Sequence, residues 1–284
     1  MPYDSFAGVT DINQLGFADN LAENFSMYLN WCLVNIGGVQ KSGPTYESDT
    51  SILRQVSPTK FESLRPGWIA NSVTGVFING VQANSGYTIN YRDGQINLSV
   101  PASSVQVYYT NALYQIYQTR KNPWFKQVIY GDWVSTVDDF LQVGSGSMDI
   151  LRKNRINSPF IVIEAVPKMS YKPYQIGGGK WKTQDLIVWV AAGNEWQAKN
   201  VMEYISDQQD QVLKLFNVNE VRQYQPYTGS GTLNPSGLNY KQLVDNHFWK
   251  SSQIKKVTQT QITDGPPLYI GNLRISFETA MGEL

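Results

Sequence analysis

Three glycines run into a lysine in "YQIGGGKWKTQDLIVWV", residues 174–190, the chain's nearest approach to a nucleotide cradle. A phosphate loop requires G-x-x-x-x-G-K followed by Ser or Thr, set between a strand and a helix. Here Lys180 is followed by Trp181, and the position of the first glycine is held by Tyr174. The apolar run after the glycines has the composition of a strand, so no helix N-terminus is available to hold an anion. Gly177, Gly178, Gly179, Lys180 and Trp181 thus read as an entry loop to a strand, with Trp181 of a type that suits an interface.

Other chemistry is thinly supplied. The chain has one histidine and one cysteine. His247 lies in "VDNHFWK" beside Phe248 and Trp249, with no G-x-S-x-G elbow anywhere, so a serine triad is not expected. His247 and Trp249 read as packing or interface residues. A cysteine-based metal cage is impossible, and Cys32 in "NWCLVNIG" reads as a small buried hydrophobe. Paired carboxylates suffice for glycoside hydrolysis, but Asp138 and Asp139 are adjacent and point apart. Glu164 sits in an apolar strand, and Glu195 and Glu203 fall on a helix. No catalytic, cofactor-binding or metal constellation is expected, and the chain reads as a non-enzyme.

The elements follow from periodicity. "FADNLAENFSMYLNWCLVNIG" places Phe17, Leu21, Phe25, Tyr28, Leu29, Cys32 and Ile36 at spacings of three and four, which predicts an amphipathic helix ended by Gly37 and Gly38. From Val39 to Ser63 the composition predicts a long irregular connection. "GVFINGVQANSGYTINYRDGQINLSVP" alternates with period two around NG, NSG and RDG turns, and a small antiparallel sheet or sandwich is expected over 65–118. "SPFIVIEAVPK" and "DLIVWVAAG" read as strands. Val201, Tyr204, Ile205, Val212, Leu213 and Phe216 at helical spacing predict one long helix, with Asn194 as N-cap. "YQPYTGSGTLNPSGLNY" reads as a polar loop. "QIKKVTQTQIT" and "YIGNLRISFETAM" read as closing strands, the latter alternating Leu273, Ile275 and Phe277 with polar residues.

The expected class is α+β: an antiparallel sheet with one long packed helix, an inserted small all-β, sandwich-like module, and an N-terminal helix. The expected divisions are 1–64, 65–118 and 119–284. Lys and Arg number 23, as do Asp and Glu, so bulk attraction to nucleic acid or an anionic membrane is not expected. The charge is uneven along the chain. Asp4, Asp11, Asp19, Glu23, Glu47 and Asp49 stand near the start, and Arg152, Lys153 and Arg155 fall in a basic stretch from Arg120 to Lys182. That pattern suits either opposite-sign partner-selecting faces or ordinary solvated charge. Many Tyr and Trp with few charges suit large static interfaces, carbohydrate contacts or extracellular β-proteins alike. The opening "MPYDSFAGVTDINQ" lacks the basic start and apolar core of a secretory leader, so folding in a cytoplasm is expected.

The stretch "GVFINGVQANSGYTINYRDGQINLSVP" resembles a β-module of tailed-bacteriophage structural proteins, and "LAENFSMYLNWCLVNIGG" resembles the N-terminus of such virion proteins. The order of "QDLIVWVAAG", "EWQAKNVMEYISDQQDQVLKLF" and "GNLRISFETA" is similar to that of tail-terminator and neck, or head–tail connector, proteins. The resemblance implies a structural protein of the virion neck, made in a host cytoplasm. It implies a homo-oligomeric ring, sixfold, that ends the tail or joins it to the head connector. Its partners would be itself and the adjacent connector and tail proteins, with genomic DNA passing through without specific binding and no membrane involved. The glycine loop and the loop 227–239, with Tyr227 and Asn234, would then touch other subunits. A baseplate or fibre-attachment subunit is the alternative reading, and a carbohydrate-active enzyme a further one.

Overall fold

The computed structural model describes residues 13–35, 46–112, 114–122, 125, 158–173, 179–221, 237–260 and 268–281. Among the described residues the fold is α+β, mostly sheet with three helices. The helices are α1 (Phe17–Asn35), α2 (Glu195–Ser206) and α3 (Tyr240–Asn246). The first nine strands are β1 (Tyr46–Ile52), β2 (Arg54–Ser57), β3 (Lys60–Glu62), β4 (Gly75–Ile78), β5 (Val81–Ala83), β6 (Tyr87–Asn90), β7 (Gln95–Leu98), β8 (Val105–Ala112) and β9 (Gln115–Gln118). The remainder are β10 (Phe160–Pro173), β11 (Lys180–Ala192), β12 (Val212–Phe216), β13 (Phe248–Gln259) and β14 (Tyr269–Met281).

Two four-stranded sheets, ordered β1-β8-β4-β5 and β2-β3-β7-β6, share one core. Alternation decides what is inside: Val105, Val107 and Tyr109 of β8 face Phe61, Ile96 and Leu98 of the other sheet, with Trp68 stacked on Tyr109 at 4.5 Å. Residues 46–62 form β1 to β3, so the expected irregular connection over 39–63 is corrected where it is described. Their polar composition misled because β1 and β2 lie at sheet edges, where strands tolerate polar residues. At Gly94, φ is +60° and a Cβ would meet the Arg65 carbonyl at 3.0 Å, so only glycine suits this turn.

The third sheet runs β12-β13-β14-β11-β10-β9, antiparallel except for β9 with β10. Its inner face carries Ile161 and Ile163, Leu186, Val188 and Val190, and Leu273, Ile275 and Phe277, under the buried faces of the three helices. Its other face bears a smaller cluster of Phe125, Phe160, Val162, Ala191 and Leu268. The expected single helix from 195 to 216 is corrected. Asn194 does cap α2, accepting from the Gln197 N–H, but the helix stops at Ser206. Val212–Phe216 is then an edge strand paired with β13. Leu213, Leu215 and Phe216 are buried, and the period-two rhythm of "VLKLF" competes with the helical spacing.

One helix holds both edges of that sheet. Glu23 is 1% exposed and takes hydrogen bonds from Gln118 at the end of β9 (3.0 Å) and from Arg120 (2.6 Å) and Lys121 (2.9 Å). The next residue, Asn24, donates to the Phe216 carbonyl of β12 (3.0 Å) and accepts its N–H (2.9 Å). A flat six-stranded sheet would hold its edge strands about 24 Å apart, five spacings of about 4.8 Å. Consecutive residues of one helix reach both edges, so the sheet curls around α1. Asn20 accepts the Val218 N–H (3.0 Å), and Tyr240 of α3 donates to the Lys214 carbonyl (2.7 Å). Side chains from α1 and α3 therefore occupy backbone groups along β12.

Half the expected charge asymmetry is spent here, since the acidic start and the basic stretch meet inside the chain through Glu23, Arg120 and Lys121. Arg152, Lys153 and Arg155 lie outside the described residues, as do Asp4 and Asp11.

Two outcomes follow from α1. Asn24→Leu strands two buried backbone groups of Phe216, and denaturant titration should show a loss of about 2–4 kcal/mol. Burial pushes the Cys32 thiol up to about 11, against a smaller opposing hydrogen bond from Tyr28. At pH 8 only about one thiol in a thousand is thiolate, so thiol-reactive dye should label Cys32 slowly until denaturant is added. Because the folded value is raised, this contribution to stability is complete below about pH 9 and is lost toward pH 11.

Candidate functional site

The far half of the β10–β11 hairpin, here the arm, is uncovered along β10, while β11 stays paired with β14 along its whole length, from Lys180 opposite Met281 to Ala192 opposite Tyr269. β9 pairs with β10 only from Phe160 to Ile163, and no described strand covers the far side of β10 from Glu164 to Pro173. A bulge between Ala165 and Met169 marks the root of the arm. The buried Gln184 amide donates to the Val166 carbonyl (2.6 Å) within that bulge, so β11 fixes the point of departure. Residues 167–173 are all exposed. Pro167, Pro173, Lys168 and Lys172 punctuate this edge, the residue types that discourage another strand from adding to it.

The residues singled out from sequence fall into two neighbouring groups. Gly179, Lys180 and Trp181 stand at the start of β11, with Lys180 opposite Pro173 and Trp181 opposite Lys172. Gly177, Gly178, Tyr227 and Asn234 lie outside the described residues, as does the loop to residue 236. His247 is exposed at the C-cap of α3, its N–H bonded to the Leu243 carbonyl. Trp249 is half-buried, its ring 6.1 Å from that of Phe17.

Two residues that the motif search passed over join these groups. The Lys182 ammonium lies 4.2 Å from the centre of the Phe17 ring and 5.5 Å from that of Tyr171. Lys250 lies 5.3 Å over Trp249. Lys250, Trp249, Phe17, Lys182 and Tyr171 thus form a cation–aromatic ladder from β13 across the start of α1 to the arm. Lys182 is only 7% exposed, and burial followed by the Lys250 charge lowers its pKa. A sequence signal existed: Lys182 shares the parity of Leu186, Val188 and Val190, so alternation places it on the covered face.

The carboxylates do not converge. Glu164 accepts from Trp189 Nε1 (3.2 Å) on the sheet face opposite the helices, whereas Glu195 and Glu203 belong to α2. Glu195 pairs with Lys199 one turn on. Asp138 and Asp139 lie outside the described residues. Among the described residues no three His, Cys, Asp or Glu cluster as a metal group, and no helix is long and apolar enough to cross a membrane.

No protein-family model matches the chain, and no curated protein matches it.

The ladder is a latch, and its removal should be visible in the arm alone. In Phe17→Ala, amide exchange at 169–173 and 180–184 should quicken several-fold while 186–192 keeps its protection, since a cation–π contact of this kind contributes about 0.5–2 kcal/mol. Unchanged exchange in the arm would remove the latch.

Proposed function

We propose that the chain is a structural protein of a tailed-phage neck, a subunit of a ring that ends the tail or joins it to the head connector around the DNA channel. The observation that carries this reading is the arm: a hairpin held to β14 along β11 and at its root by Gln184 and Lys182, whose β10 edge presents exposed side chains with no described cover. A rigidly held, uncovered edge suits contact with a neighbouring subunit, because little order remains to be imposed on docking. In this reading the six-stranded sheet and its helices are the tail-terminator-like body. The two smaller sheets are a sandwich-like module attached to it through Gly67 and Gln115, where Gln115 Nε2 donates to the Pro66 carbonyl (3.0 Å). The ring is taken as sixfold, its partners are copies of itself and adjacent connector and tail proteins, and its place is the virion. DNA passes through it without sequence reading.

One further feature favours a baseplate or fibre-attachment subunit as the second reading. On β8 and β4, Tyr108 and Phe77 meet edge to face at 5.6 Å on the outer face of their sheet, with Ile52 exposed on the adjoining strand. Such an apolar, aromatic face suits another protein or the apolar side of a sugar.

Light scattering and negative-stain microscopy of the purified chain should show closed rings. Replacing 169–181 by a short Asn-Gly turn should leave the melting transition in place and return the protein to monomers. A chain that stays monomeric at high concentration and is missing from particles contradicts the ring.

A further inference from the structure

Resting on the ring reading, we infer that the arm of one subunit docks on the turn between α2 and β12 of the next, through opposite charges flanking apolar centres. Residues 166–183 contain four lysines and no acid. Lys182 is used inside the chain, but Lys168, Lys172 and Lys180 are exposed and have no ion-pair partner among the described residues. Between Lys199 and Lys214 the chain carries three acids, Glu203, Asp207 and Asp210, and no base. All three are exposed and likewise make no ion pair among the described residues. Residues paired across the hairpin share a face, so Lys180 stands on the face of Tyr171 and Met169 and Lys172 on the other with Trp181, and lysines flank the uncovered edge on both sides. Tyr171 (55%) and Met169 lie on the arm, and Val212 (60%) and Tyr204 lie beside the acids.

Among the described residues no ion pair joins the two surfaces within one chain. The turn is held against β13, where the Asp210 N–H donates to the Ile254 carbonyl (2.8 Å), and β14 and β11 stand between β13 and β10. The surfaces differ from each other, so pairing arm to turn is head-to-tail. That kind of contact generates a ring when the rotation closes. The prolines and lysines on the arm's edge discourage pairing by strand addition, which leaves side chains to make the contact. Like charges facing each other at such a contact disfavour it, so charge also sets register and direction.

A charge exchange tests this. One variant carries Lys168→Glu, Lys172→Glu and Lys180→Glu. The other carries Glu203→Lys, Asp207→Lys and Asp210→Asn, the last because Asp210 has φ +68° and Asn tolerates that region. All six positions are exposed, so both variants should melt with the wild type. Each alone should be monomeric by light scattering, and a one-to-one mixture should regain the oligomer mass of the wild type, weakening again in about 1 M salt. Assembly of either variant alone, or failure of the mixture, overturns the contact while a wild-type ring leaves the neck reading standing. A monomeric wild type overturns both.

Discussion

Two neighbouring side chains on α1 hold opposite ends of one sheet. Glu23 gathers Gln118, Arg120 and Lys121 at the β9 edge, and Asn24 pairs with the backbone of Phe216 at the β12 edge. Both are buried, so each must be satisfied where it stands, and a buried amide or carboxylate with misplaced partners is costly. The helix can therefore sit in only one register between the edges. Apolar packing alone would fix it less tightly. Phe25 against Phe277 at 5.2 Å and Leu21, Leu29 and Leu33 supply burial, and burial is non-directional. The polar pair supplies the direction.

The unequal treatment of the sheet's flanks follows. β12 is closed by Asn24, Asn20 and Tyr240, whereas β10 runs beyond β9 and keeps an uncovered side. The start of α1 then braces the root of the arm through Phe17 and Lys182, so the helix that closes the sheet also steadies its uncovered edge. An uncovered edge with one sign of charge and a turn with the other, each with exposed apolar side chains nearby, give the chain two unlike ends. We read the molecule as a building block on that asymmetry.

Much of the fold was legible because its signals are local. The α1 stripe, the alternation of Leu273, Ile275 and Phe277, the Asn194 cap and the NG and DG turns each carry their meaning within a few residues. What was missed depends on distant neighbours. "YESDTSI" becomes a strand by pairing with β8 some sixty residues on, and nothing in its own composition requires it. "VLKLF" satisfies both a helical and an extended period, and the available edge of β13 decides it. Glu23 looked like one of several surface acids, although it sits on the face of Asn20 and Asn24, where a polar run within a helix asks for buried partners. At the candidate site, Lys180, Trp181 and Trp249 were singled out by type. Lys182, Phe17 and Tyr171 were not, because what joins them is an approach of three separate elements.

Carbodiimide cross-linking of a one-to-one mixture of unlabelled and nitrogen-15-labelled chains tests the central claim most directly. The account predicts zero-length cross-links between Lys168, Lys172 or Lys180 and Glu203, Asp207 or Asp210 in which one peptide is light and the other heavy. Cross-links at those lysines that are always of one isotope, or that join only acids elsewhere on the chain, would contradict it.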